Sequence, residues 1–234
     1  LRNNKDILQD NSRQDYSFKD IIKNDKNCPV QFTEYLVDLK YVKKVGQIGV
    51  VHGSGKNIVE RSYISVKEEF YEQKIPLYAP ADITLVWGSH YKMPGSSDNL
   101  LTDYALRFDA GCGVEITLGH LKEVVSSIGV QLPEAKSDSR EDMLNPIKFK
   151  AGELIGYYVQ QKQEGAVSGF DFVVRDRNFV NKFINRERYE DDRARNLING
   201  VCPYDYYIGE KKEVYYNLLG GAGGTLFKVK DCGN

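Results

Sequence analysis

The stretch that decides the fold runs from Asp103 to Val125 and reads DYALRFDAGCGVEITLGHLKEVV. Apolar and polar residues alternate around Tyr104, Leu106 and Phe108, and again around Val114, Ile116 and Leu118. A period of two places successive side chains on opposite faces of a pleated strand, so each run reads as a half-buried β-strand. The rhythm continues outward in both directions. Upstream, residues 61–92 (RSYISVKEEFYEQKIPLYAPADITLVWGSHYK) hold strand-like runs separated by a polar segment and by Pro76 and Pro80. Downstream, residues 147–161 (IKFKAGELIGYYVQQ) read as a strand, a glycine-bearing turn and a second strand, and EGAVSGFDFVVRD at 164–176 repeats the pattern. The fold class this predicts is mainly β, with antiparallel sheets and small helical additions.

Composition agrees. The 16 Tyr, 10 Phe and single Trp stand mostly among Val, Ile and Leu, and aromatic and β-branched side chains suit a pleated, half-buried surface. Packing is the plain role for a strand tyrosine; carbohydrate stacking and partner interfaces draw on the same residues. At 234 residues the chain is long enough to bury a substantial core. We read residues 1–30 as a polar lead-in and 31–234 as one β-rich domain. The best helical candidate is RNFVNKFINRERYEDDRARNLING at 177–200, and the glycine cluster at 220–224 reads as a turn before a last strand around Leu226.

A net charge of −1 gives no electrostatic reason to expect nucleic acid or an anionic membrane as partner. The longest apolar runs, such as Ile48 to Val51, fall far short of the ~20 residues a membrane span needs. Cys28, Cys112, Cys202 and Cys232 show neither CxxC nor zinc-ribbon spacing. Two disulfides in an exported protein and buried thiols in a cytosolic one both fit them, and the pairing stays open. A cysteine nucleophile at Cys112 beside His120 is the weaker alternative to a buried or bridged residue on a strand.

Nucleotide and hydrolase motifs fail. Around Gly55-Lys56, Val50 stands in the first-glycine slot of a phosphate loop and Asn57 in its Ser/Thr slot. The GGAGG at 220–224 lacks a following helix and distal acid, and Ser54 has His52 where a nucleophile elbow needs glycine. His52, His90 and His120 form no HxH or HExxH pair; His90 reads as lying in an exposed loop, and His120 at a strand end is the most suggestive. Asp171, between Phe170 and Phe172, faces away from its apolar neighbours, towards solvent or a cleft. A buried carboxylate there must find partners or take up a proton.

The succession IPLYAPADITLVWG (75–88), DYALRFDAGCGVEITLGHL (103–121), IKFKAGELIGYYV (147–159) and SGFDFVV (168–174) resembles that of lysostaphin-type zinc endopeptidases. In that family APxDGxV, YxHL, VxxGxxIGxxG and HxHFEV follow one another. The resemblance spans about residues 63–174. It implies a duplicated-hybrid-motif β fold with a groove on one sheet face, and a zinc held by a His, an Asp and the second His of HxH, with two further histidines assisting the attacking water. On that match His120 is the assisting, catalytic-position histidine, Gly169 stands at the first His of HxH, and Asp171 stands at the second. The upstream HxxxD should lie near NIVERSYIS (57–65) and is missing; Glu60 is its nearest acidic residue and is out of register.

A cation missing most of its donors is not held tightly, and without zinc there is no Lewis acid for a peptide carbonyl. The resemblance therefore implies a non-catalytic, exported, peptidase-like domain of the secreted or cell-envelope kind. No metal or cofactor is expected, and a peptide, glycan or protein partner would lie in a groove around His120, Asp171 and Glu60. The alternative is a metal-dependent hydrolase with a rebuilt zinc site using Asp171, His120 and Glu60 or His52.

Overall fold

The structure, a computed structural model, describes residues 29–46, 48, 51–52, 57–58, 61–93, 101–162, 169–180 and 197–220. Its strands are β1 (Val42–Val45), β2 (Val51–His52), β3 (Asn57–Ile58), β4 (Tyr63–Val66), β5 (Ile75–Tyr78), β6 (Ile83–Lys92), β7 (Thr102–Asp109), β8 (Val114–Leu121), β9 (Glu123–Val124), β10 (Asp142–Phe149), β11 (Leu154–Tyr158), β12 (Phe170–Asp176) and β13 (Gly200–Val201). Among the described residues the α-helices are α1 (Ser126–Gly129) and α2 (Glu210–Asn217), with short 3₁₀ helices at Leu39–Tyr41, Glu68–Phe70 and Pro203–Tyr206. The protein is mainly antiparallel β, as the alternating runs require.

The main sheet has the order β1-β4-β12-β8-β7-β6-β10, with β13 also pairing β12. A smaller sheet, β5-β11-β9, lies apart from it, and β2 pairs β3. The residues of period two do what the pattern demands. Leu106, Phe108, Ile116, Leu118, Phe170 and Phe172 are wholly buried on one face of the main sheet, in one cluster with Ile75, Leu77 and Ile155 of the smaller sheet. Burying such a side chain contributes about 1.5–3 kcal/mol, so this inter-sheet layer holds the register of the main sheet.

Strand β8 leaves the main sheet through a bulge. Opposite β7 the register moves from Leu106↔Leu118 to Tyr104↔Leu121, one residue more on β8 than on β7. His120 takes that extra place with φ 66°, the left-handed backbone that non-glycine residues seldom adopt. Beyond it Lys122 N–H donates to Tyr157 O at 2.9 Å, and β9 joins β11. The bulge thus turns the chain from one sheet to the other.

A tyrosine cluster closes one end of the core. Tyr204, Tyr207 and Tyr215 are buried, with ring centroids 4.9 Å apart for Tyr204–Tyr215 and 4.6 Å for Tyr207–Tyr215. Ser62 Oγ donates to Gly46 O at 2.5 Å, so Tyr204 O–H donates to Ser62 Oγ at 2.8 Å. That anchor fixes the segment carrying Arg61.

Three local expectations are corrected. His90 is not in an exposed loop but in β6, stacked on Tyr104 at 4.1 Å with Nε2 3.0 Å from Thr102 Oγ1. The polar text WGSHYK hid a strand because Gly88 occupies a core position, where an added Cβ would meet Leu132 Cδ1 at 2.9 Å. The strand read from Ile147 starts earlier: β10 begins at Asp142 and carries Asn145-Pro146 across a break in register between Met143 and Ile147, where a proline disturbs an edge strand least. Cys112 is in the β7–β8 turn with φ 55°, not on a strand, and it is disulfide-bonded, as is Cys202. The lead-in, most of the 177–200 candidate helix and the strand around Leu226 lie outside the described residues. The longest described helix is α2, too short for an apolar period to declare itself.

Candidate functional site

Four strands meet at the site. In the β12–β8 ladder Asp171 is opposite Gly119, and in the β12–β4 ladder it is opposite Tyr63. Phe170 and Phe172 face the core, so Asp171 faces the other side of the sheet, where it is 5% exposed. A Cβ on Gly119 would stand 2.6 Å from Asp171 Oδ2 and 3.1 Å from its Cβ. Only glycine there leaves room for the carboxylate to lie flat across β8.

The bulge re-aims His120 towards this carboxylate. His120 Nδ1 donates to Asp103 Oδ2 at 2.8 Å, and its Nε2 lies 3.8 Å from Asp171 Oδ2. A carboxylate only accepts, so Nδ1 carries a proton and Nε2 is the atom turned to Asp171. Lys122 Nζ donates to the other oxygen of Asp103. Arg61 Nη1 donates to Asp171 Oδ2 at 2.7 Å, held alongside because Phe172 N–H donates to Ser62 O at 2.9 Å. Asp171 Oδ1 is buried without a hydrogen-bond partner.

Electrostatics follow from this geometry. Burial disfavours the His120 imidazolium, but the bond to Asp103 and the fields of Asp171 and Asp103 outweigh it, and its pKa stands above the ordinary 6.5. Burial works against the Asp103 carboxylate as well, and its bonds to His120 and Lys122 prevail, so its pKa stands below 3.8. The Tyr91 hydroxyl is pushed well up, first by burial and then by Asp103 and Asp171.

The residues singled out from the sequence divide accordingly. His120 and Asp171 come together. Glu60 lies outside the described residues, and of His52 only the backbone, paired with Asn57, is described. Arg61, Lys122, Tyr91 and Asp103 are site residues that the sequence does not single out. A lone Arg before a strand run carries no sequence signal. The period-two spacing of His120 and Lys122 was the available clue.

The zinc that the endopeptidase resemblance implies does not fit the described residues. Asp171, at the matched ligand position, holds a guanidinium. At Gly169 (φ 156°) an added Cβ would stand 2.4 Å from Ile64 O, so no imidazole enters without displacing β4. Among the described residues no group of three or more His, Cys, Asp or Glu side chains is placed to hold a metal ion.

No family model matches the chain. No curated protein matches it either. Among solved structures, a chain of the SpoIIQ–SpoIIIAH pore forming complex is similar at 15% identity and a TM-score of 0.38, covering 64% of this chain and 85% of that chain. No helix among the described residues is long and apolar enough to cross a membrane.

Proposed function

We propose that this is a non-catalytic, exported, peptidase-like β domain that binds a peptide, glycan or protein partner in the groove around His120 and Asp171. The Arg61–Asp171 ion pair carries the proposal. At the position that matches a zinc ligand of the lysostaphin-type endopeptidases, the carboxylate has a permanent cation from its own chain, and a second cation brought beside it would meet repulsion. The disulfide bonds of Cys112 and Cys202 support export, since such bonds persist in oxidising compartments.

A rebuilt metallohydrolase is the competing reading, and one observation favours it. A histidine ligand usually donates its other ring nitrogen to a carboxylate, as His120 does to Asp103. Calorimetric titration of purified protein with Zn²⁺, together with elemental analysis, separates the two. The expected result is no stoichiometric zinc. One tightly held zinc per chain, lost on His120→Ala, overturns the proposal.

A further inference from the structure

The site is layered by charge. Its carboxylates lie underneath, with side-chain exposures of 1% for Asp103 and 6% for Asp171, while its nitrogen donors lie above them at 42% for Arg61 and 20% each for His120 and Lys122. A cation site is built the other way round, with oxygens turned to the ligand. A ligand arriving from solvent here meets a guanidinium, an ammonium and an imidazole edge. The buried acids hold these donors in place and remove their freedom to swing away, which reduces the ordering cost of binding.

The geometry points to an oxyanion site: Arg61, His120 Nε2 and Lys122 together bind the carboxylate or phosphate group of a ligand lying in this groove. The inference rests on the non-catalytic binding role proposed above and names the chemistry of the group bound. With His120 protonated, Arg61, Lys122 and His120 outnumber Asp103 and Asp171 by one charge among the described residues of the site, a balance that favours an anionic ligand. With His120 neutral the balance is zero, and Nε2 becomes an acceptor facing a negative ligand.

Binding is therefore strongest on the acid side of the His120 titration. Among the described residues, the groups facing that imidazole are Asp103 from β7, Asp171 from β12, Lys122 beyond the bulge and Arg61 ahead of β4. The Tyr91 and Tyr158 hydroxyls, both raised first by burial and then by Asp103 and Asp171 among other charges, stay neutral through this range.

The test is an imidazole ¹H–¹⁵N spectrum of the wild-type protein, with His120 assigned by comparison with His120→Asn. It is titrated with inorganic phosphate, with N-acetylalanine and with N-acetylalanine amide. A saturable shift of the His120 signals with phosphate, with the free carboxylate or with both supports the site and tells the two sources apart. The amide is expected to leave the signals in place. Arg61→Gln is expected to weaken the response about tenfold or more, with Arg61→Lys retaining most of it. If Arg61→Gln fails to fold, Lys122→Gln takes its place.

No His120 shift with either anion at millimolar concentration, or an equal shift with the amide, overturns the inference. Silence of His120 towards anions in a protein that also takes no zinc defeats the oxyanion site alone. A zinc held through His120 and Asp171 defeats the underlying binding role.

Discussion

Gly119 and Asp171 face each other across the β8–β12 ladder so closely that a single methyl group on Gly119 would stand 2.6 Å from the Asp171 carboxylate. The glycine is as much part of the site as the acid, because it supplies the volume the acid occupies. Gly119→Ala is expected to push the carboxylate away from Arg61 and His120 and to cost about 1–3 kcal/mol. In an Asp171→Ala background most of that cost should vanish. Urea denaturation of the four proteins measures the coupling, and full additivity would show that the two residues do not compete for space.

Arg61 and Asp171 form a pair with one partner buried and the other half in water. Removing Arg61 leaves a buried charge unpaired, whereas removing both ends does not. Arg61→Leu is expected to destabilise by about 1–3 kcal/mol, reduced from the fully buried case by the exposure of the guanidinium. Arg61→Leu with Asp171→Leu should recover most of the loss. A double variant less stable than either single one contradicts the pairing.

The left-handed backbone at His120 permits a test that separates strain from chemistry. Replacement by alanine keeps the strain and removes the imidazole, and replacement by glycine removes both. His120→Gly is therefore expected to be more stable than His120→Ala by about 1 kcal/mol, the reverse of the usual order within a strand. Thermal melts of the two variants decide it, and the ordinary order would mean that the bulge relaxes when the side chain is lost.

The Asp103–His120 pair gives stability a pH window. His120, raised above 6.5, contributes fully below that value and loses its contribution as pH rises through the folded pKa. Asp103, lowered below 3.8, contributes fully above that value and loses its contribution as pH falls through the folded pKa. Between 3.8 and 6.5 both contributions are present. The stability difference between wild type and His120→Asn should thus narrow as pH rises from 6 towards 9. A difference independent of pH would remove the charged pair from the account.

Much of the architecture was legible from residue order alone. Alternation around Leu106, Phe108, Ile116 and Leu118 specifies strands because a half-buried sheet has a period of two, a property of neighbours along the chain. The same logic turns Asp171 away from Phe170 and Phe172. Strand β6 was harder to see at its polar end, where Gly88 stands in a core position and apolar periodicity lapses.

The site itself belongs to the tertiary structure. Arg61 and Asp171 are 110 positions apart, and their contact depends on β4 and β12 pairing in one register. Whether His120 looks to the core or to Asp171 depends on one extra residue in β8 relative to β7. The amino-acid order determines the local alternation and the supply of charged side chains. The ladders between distant strands, held by burial of the shared apolar face, decide which charges meet.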